Sequence, residues 1–248
     1  MTMHTPTPNF RFQRFTVWHD QCAMRVGTDG VLIGAWTPLP DNPSVRVLDI
    51  GTGSGLIALM LAQRCEQAGK MFDIQAIDID SSATAQAQSN FLLSPWAGHL
   101  QATTTSLQAY TSPTLFHLIV SNPPFFSHSL RNPDATKAAA RHTDSLTYTE
   151  LIHHAAALLD PQGTLALILP ADTETHIRHI AATEGLATTH VTHVHSKPGK
   201  PAKRILITFQ YAQHAAQPIL TDTFYIESDT APRSPEYQQL TRDFYLPL

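Results

Sequence analysis

Short apolar runs alternate along this chain with longer segments whose apolar residues recur at helical spacing. Runs at 45–50, 72–77, 100–104, 116–121, 164–169, 188–195 and 204–210 read as strands. Residues 56–62, 82–93, 148–159 and 172–183 carry helical spacing, the last closed by Gly185. Asp160-Pro161-Gln162-Gly163 reads as a turn before the fifth strand. Strands alternating with helices predict an α/β fold in which helices cover both faces of a largely parallel sheet of seven strands. The last two strands, joined by a short basic loop, predict a closing hairpin.

The first strand ends in Leu48-Asp49-Ile50 and runs into Gly51-Thr52-Gly53-Ser54-Gly55, then a helix. Glycines at such a turn let backbone approach a ligand closely, and the helix that follows presents unpaired N–H groups to the same place. A dinucleotide fingerprint would need a third glycine where Leu56 or Ala58 stands, which disfavours a nucleotide-binding oxidoreductase. The spacing is Asp-x-Gly-x-Gly-x-Gly. Asp49 at the strand end can bind or organise the cationic amino-acid end of S-adenosylmethionine, although the same residues could form a tight turn with no ligand. The second strand ends Asp78-Ile79-Asp80. Asp78 follows the glycines by about the twenty residues expected of a ribose-binding acid, whereas Asp80 suits the cap of the next helix.

After the fourth strand stands Asn122-Pro123-Pro124-Phe125. An exocyclic amine conjugated to a ring is a weak nucleophile, so methyl transfer to it requires alignment with the donor and acceptors for its protons. The Asn122 side-chain oxygen can accept one N–H and the Pro123 carbonyl a second. The two prolines disfavour a helix and stiffen the loop, and Phe125 offers a flat face for stacking. An ordinary Asn-Pro turn would show the first two residues as well.

Composition narrows the setting. At 248 residues and 42% hydrophobic, the chain suits one α/β domain with an N-terminal extension to about 44 and a C-terminal tail from about 212. Cys22 and Cys65 are far apart and lack metal spacing, so neither a disulfide framework nor a zinc site is expected. Among the 14 histidines, His190, His193 and His195 have strand spacing but no ligand set, and no metal is expected. Residues 1–9 are polar and proline-rich, and nowhere is there an apolar run of membrane-spanning length, which predicts a soluble, cytoplasmic protein. A net charge of −4 argues against coating nucleic acid by bulk electrostatics. Local basic groups remain: Arg11, Arg14 and Arg25; Arg131, Lys137, Arg141 and His142; and Lys197, Lys200, Lys203 and Arg204.

With the glycine turn, the second-strand acid and the Asn-Pro-Pro-aromatic loop in place, the chain resembles the class I S-adenosylmethionine-dependent methyltransferases. The segment from Phe10 to Trp36, with Gly27-Thr28-Asp29-Gly30-Val31-Leu32-Ile33-Gly34-Ala35-Trp36 at its end, is similar to the bacterial tRNA(Val) adenine-N6 methyltransferases, as is Ser94-Pro95-Trp96. The resemblance implies a Rossmann-like fold with an antiparallel last strand, S-adenosylmethionine as cofactor, and tRNA as partner of a monomer. The target would be the adenosine immediately 3′ of the anticodon. It implies donor contacts from Thr28, Asp49, Gly51, Gly53, Gly55, Asp78, Ser106 and Asn122, and catalysis at Asn122, Pro123, Pro124 and Phe125, while the basic clusters near the expected strand ends suggest RNA contacts from Arg25, Arg141, His142, Lys203 and Arg204. Ser106 stands where these enzymes often carry an aspartate for the cofactor adenine, and Phe125 replaces the commoner tyrosine. The nearest rival chemistries for the same loop are a protein glutamine amide and a guanine amine of ribosomal RNA. A non-catalytic nucleotide- or RNA-binding module is a further alternative, against which the intact loop counts.

Overall fold

The computed structural model describes residues 8–21, 25–124, 146–215 and 218–247. A small antiparallel hairpin, β1 (Asn9–Arg11) and β2 (Thr16–Trp18), precedes helix α1 (Thr28–Trp36). Seven strands follow the apolar runs: β3 (Ser44–Ile50), β4 (Met71–Asp78), β5 (Leu100–Thr104), β6 (Phe116–Ser121), β7 (Leu159–Pro170), β8 (Leu186–His195) and β9 (Ala202–Tyr211). Between and after them lie α2 (Leu56–Gln67), α3 (Ser81–Leu92), α4 (Tyr148–Leu158), α5 (Glu174–Thr183), strand β10 (Leu220–Tyr225) and α6 (Pro235–Thr241).

The sheet order is β10-β8-β9-β7-β6-β3-β4-β5, with eight strands where the sequence predicts seven. The eighth, β10, comes from the expected tail and pairs parallel to β8. Its sequence, Leu-Thr-Asp-Thr-Phe-Tyr, has no apolar run because this edge strand is largely exposed, so backbone pairing and the His190–Asp222 contact at 3.1 Å place it. The antiparallel strand is β9, inserted between β7 and β8, and it is not the last in the chain. Asp160-Pro161-Gln162-Gly163 is not a separate turn: β7 begins at Leu159, directly after α4, and absorbs these residues through a register shift against β6.

Alternation along the central strands divides the core into two layers. Val45, Val47, Leu118, Val120, Ala166 and Ile168 pack on the face covered by α1, α2 and α3. Leu48, Ile50, Ile119, Leu165, Leu167 and Leu169 pack on the opposite face with α4 and α5. Phe12, Phe15 and Val17 from the N-terminal segment, and Tyr237 and Phe244 from the C-terminal one, join the first layer. The two terminal segments are thus parts of the same core.

Helix ends follow local chemistry. Asp80 caps α3, accepting from the Ser82 and Ala83 amides at 2.8 and 3.4 Å, as its position predicts. Thr147 and Glu150 form a reciprocal capping box at α4. The segment expected to be helical from 172 opens with a 3-10 turn, Ala171–Thr173, before α5.

Because β3, β4 and β6 are parallel, their C-terminal ends share one edge of the sheet. Ile50 pairs with Ser121, so Gly51 and Asn122 leave neighbouring strands side by side. From β3 the chain proceeds through β4 to β5 on one side and then returns to β6 on the other, which opens a crevice at the switch point.

Candidate active site

The glycine turn fills the β3 side of this crevice. Gly51, Gly53 and Gly55 all adopt left-handed backbone, with φ of 70°, 54° and 81°. The amides of Gly51 and Thr52 both donate to the Ile77 carbonyl, tying the turn to β4. At Gly51 and Gly53 an added Cβ would meet nothing within 4 Å, so both expose bare backbone. Gly55 differs: a Cβ there would stand 2.5 Å from the Phe91 ring, so this glycine allows α2 and α3 to pack closely.

Asp49 is fully buried at the strand end beside this turn. Its Oδ2 accepts from the Thr52 hydroxyl at 2.7 Å, while its Oδ1 is buried without a hydrogen bond from a described residue. Burial pushes its carboxyl up to about 7, against the smaller opposing effects of Thr52 and the Ala58 amide. Asp78 Oδ2 accepts from the Gly53 amide at 2.9 Å and its Oδ1 from the Asp80 amide at 3.0 Å, so this acid organises the turn. Ser106 lies in the turn after β5, where its hydroxyl accepts from the Ala109 amide at 3.2 Å.

On the β6 side, the Ser121 hydroxyl donates to the Ile50 carbonyl at 2.8 Å and locks the two strand ends together. Asn122, Pro123 and Pro124 continue from there into a cleft of about 400 Å³ that the glycine turn also lines. The third wall is the start of α1, with Arg25 and Thr28 where the resemblance expects site residues. Gly27 precedes α1 and supplies no side-chain cap, so first-turn N–H groups of that helix are left for solvent or a ligand. Leu56 and Ile57 bring the start of α2 to the same cleft. Two helix N-termini therefore converge on a space able to receive an anionic group such as a carboxylate.

Among the expected site residues, Arg25, Thr28, Gly51, Gly53 and Asn122 to Pro124 line the cleft. Asp49, Gly55, Asp78 and Ser106 stand outside its lining. Phe125, Arg141 and His142 lie outside the described residues. Lys203 is exposed at the start of β9, on the same edge of the sheet. Arg204 beside it donates from Nε to Asp29 Oδ2 at 2.9 Å. Asp29 on the cleft wall, and Asn90 behind the glycine turn, are not singled out by the sequence motifs. The Asn90 amide group donates to the carbonyls of Trp18 and Ser54, both at 2.8 Å, and so braces the glycine turn against β2. Asp29 had a signal in its place within Gly27-Thr28-Asp29-Gly30; Asn90 had none.

The histidines of β8 are engaged within the fold: His190 with Asp222, His193 with Glu174 at 2.8 Å, and His195 with the Lys200 carbonyl at 2.6 Å. Among the described residues no group of His, Cys, Asp or Glu side chains is placed to hold a metal, and no helix is long and apolar enough to cross a membrane.

Residues 35–182 match the methyltransferase small domain. A tRNA1(Val) (adenine(37)-N6)-methyltransferase of Phocaeicola vulgatus is 45% identical over 242 residues, covering 97% of this chain and 99% of the relative. The enzyme of the same name from Edwardsiella ictaluri is 39% identical over 243 residues, covering 97% and 95%. Among solved structures, a protein described as a predicted O-methyltransferase from Agrobacterium tumefaciens superposes with a TM-score of 0.65 at 18% identity, over 87% of this chain and 96% of that one, a likeness of fold. With such identity along nearly the whole of both chains, the protein belongs to the tRNA1(Val) (adenine(37)-N6)-methyltransferase family, built on a methyltransferase small domain.

Proposed function

We propose that this chain transfers a methyl group from S-adenosylmethionine to the N6 amine of the adenosine immediately 3′ of the anticodon in tRNA(Val). The observation that carries the reading is that Asn122-Pro123-Pro124 and the bare glycine backbone of Gly51 and Gly53 line one cleft. The residues present fit the donor: two open glycines admit it, and two helix N-termini suit its carboxylate. Arg25, Thr28, Gly51 and Gly53 would hold it, with Asp78 keeping the turn in shape. When bound, it supplies an electrophilic methyl on a sulfonium.

The remaining work belongs to the chain. The Asn122 side chain makes no hydrogen bond with a described residue, so its oxygen is available to an incoming amine. The Pro123 carbonyl is the second acceptor, in a loop that its prolines stiffen. These neutral oxygens orient the amine in line with the methyl group, and the proton leaves to water after the new bond has formed, so no strong base is required. The adenine must leave its stack, which costs least in an exposed anticodon loop. Phe125, next in the chain, offers the stacking face.

Lys197 and Lys200 are exposed on the β8–β9 turn and Lys203 at the start of β9, and none makes an ion pair with a described residue. They support a phosphate-binding surface at the catalytic edge, where net negative charge elsewhere leaves contact with RNA local. The tRNA substrate supports a cytoplasmic location. Labelled methyl transfer to tRNA, ribosomal RNA and protein fractions in parallel, followed by nucleoside analysis, tests the assignment. N6-methyladenosine at the position 3′ of the anticodon is expected. Label in guanine or in protein glutamine would refute it.

A further inference from the structure

Asp29 is the second residue of α1 and the one carboxylate among the described residues lining the cleft. Arg204, at the start of β9, reaches its Oδ2 through Nε at 2.9 Å. The two side chains are 26% and 30% exposed, so the contact is partly withdrawn from water. Asp29 Oδ1 has no hydrogen bond from a described residue. The other two acids near the turn are committed otherwise, Asp49 to burial and Thr52, Asp78 to the amides of Gly53 and Asp80.

A donor with an amino-acid end brings an ammonium as well as a carboxylate into this cleft. The helix N-termini suit the carboxylate, and an ammonium leaving water needs a fixed anionic acceptor. A guanidinium on one oxygen of Asp29 holds the carboxylate in a single orientation and leaves the other oxygen for a ligand. We infer that Asp29 receives the ammonium of the methyl donor, and that Arg204 is a positioning residue for that acid and not a contact to RNA. The assignment rests on the methyl-donor reading above and adds the acceptor that reading leaves open.

Calorimetric titration of the full chain with S-adenosylhomocysteine and with 5′-methylthioadenosine, which lacks the amino-acid end, tests it without tRNA. Asp29→Asn is expected to weaken S-adenosylhomocysteine by about tenfold or more, as loss of a charge-assisted hydrogen bond implies, and to leave 5′-methylthioadenosine unchanged. Arg204→Ala should shift the first ligand in the same direction by less, Arg204→Lys should recover part of the loss, and the KM for tRNA should stay the same. Unchanged S-adenosylhomocysteine binding by Asp29→Asn, or equal loss of both nucleosides, would overturn the role of Asp29. Arg204→Ala that raises the KM for tRNA alone would return Arg204 to the RNA surface and overturn its positioning role. Failure of the unaltered protein to bind either nucleoside would instead remove the donor reading, and this assignment with it.

Discussion

A Cβ at Gly55 would lie 2.5 Å from Cε1 of Phe91 and 3.3 Å from Cβ of Ala87, so the last glycine of the turn is where α2 meets α3. Phe91 is fully buried and cannot retreat without opening the core. The three glycines share left-handed backbone but divide the work between ligand space and packing. Gly55→Ala combines left-handed strain with overpacking, and a loss of about 2–5 kcal/mol is expected in urea unfolding. Gly51→Ala carries only the backbone strain, about 1–2 kcal/mol, while its methyl group intrudes on the cleft and weakens donor binding. Equal stability losses for the two variants would contradict this division.

Asn122→Ala should lower kcat by on the order of 10²-fold or more while leaving the affinity for S-adenosylhomocysteine unchanged, because the lost oxygen orients the amine. Single-turnover methyl transfer, with calorimetry alongside, separates the two effects. Turnover within a few fold of the unaltered protein would remove Asn122 from the mechanism.

Asp49 makes stability depend on pH in a defined direction. Its carboxyl is raised from 3.8 to about 7 by burial, so between those values the folded protein keeps a proton that the unfolded chain has released. Stability therefore falls as pH rises through that window and levels above it, by on the order of a few kcal/mol for this group. Asp49→Asn keeps an acceptor for Thr52 and cannot ionise. Thermal unfolding at pH 5 and pH 8 should show a smaller difference in Tm for that variant than for the unaltered protein.

Lys197, Lys200 and Lys203 changed together to Ala should raise the KM for tRNA and leave donor binding unchanged. Each lost phosphate contact should flatten the slope of log K against log salt by roughly 0.7–0.9. Filter binding to tRNA over a salt series measures this. An unaltered slope would place the RNA elsewhere.

The alternation of apolar runs, the glycine turn and the Asn-Pro-Pro segment determined the sheet core and two of the segments that line the cleft, because each is written in consecutive residues. Buried strands need apolar side chains along their length, and left-handed turns need glycine, so both leave marks in order along the chain. Strand β10 left no such mark, since its edge position needs backbone pairing and little burial. The division among the glycines was equally hidden: only the approach of Phe91, far along the chain, assigns Gly55 to packing. Asp78 carries the spacing of a ribose-binding acid, and which amides its oxygens meet depends on how β4 lies against the turn. The Asp29–Arg204 pair joins residues 175 apart in sequence, and only the return of β9 between β7 and β8 brings them together. Side chains that act through long-range partners carry no local periodicity, so tertiary structure alone decided which acid reaches the cleft.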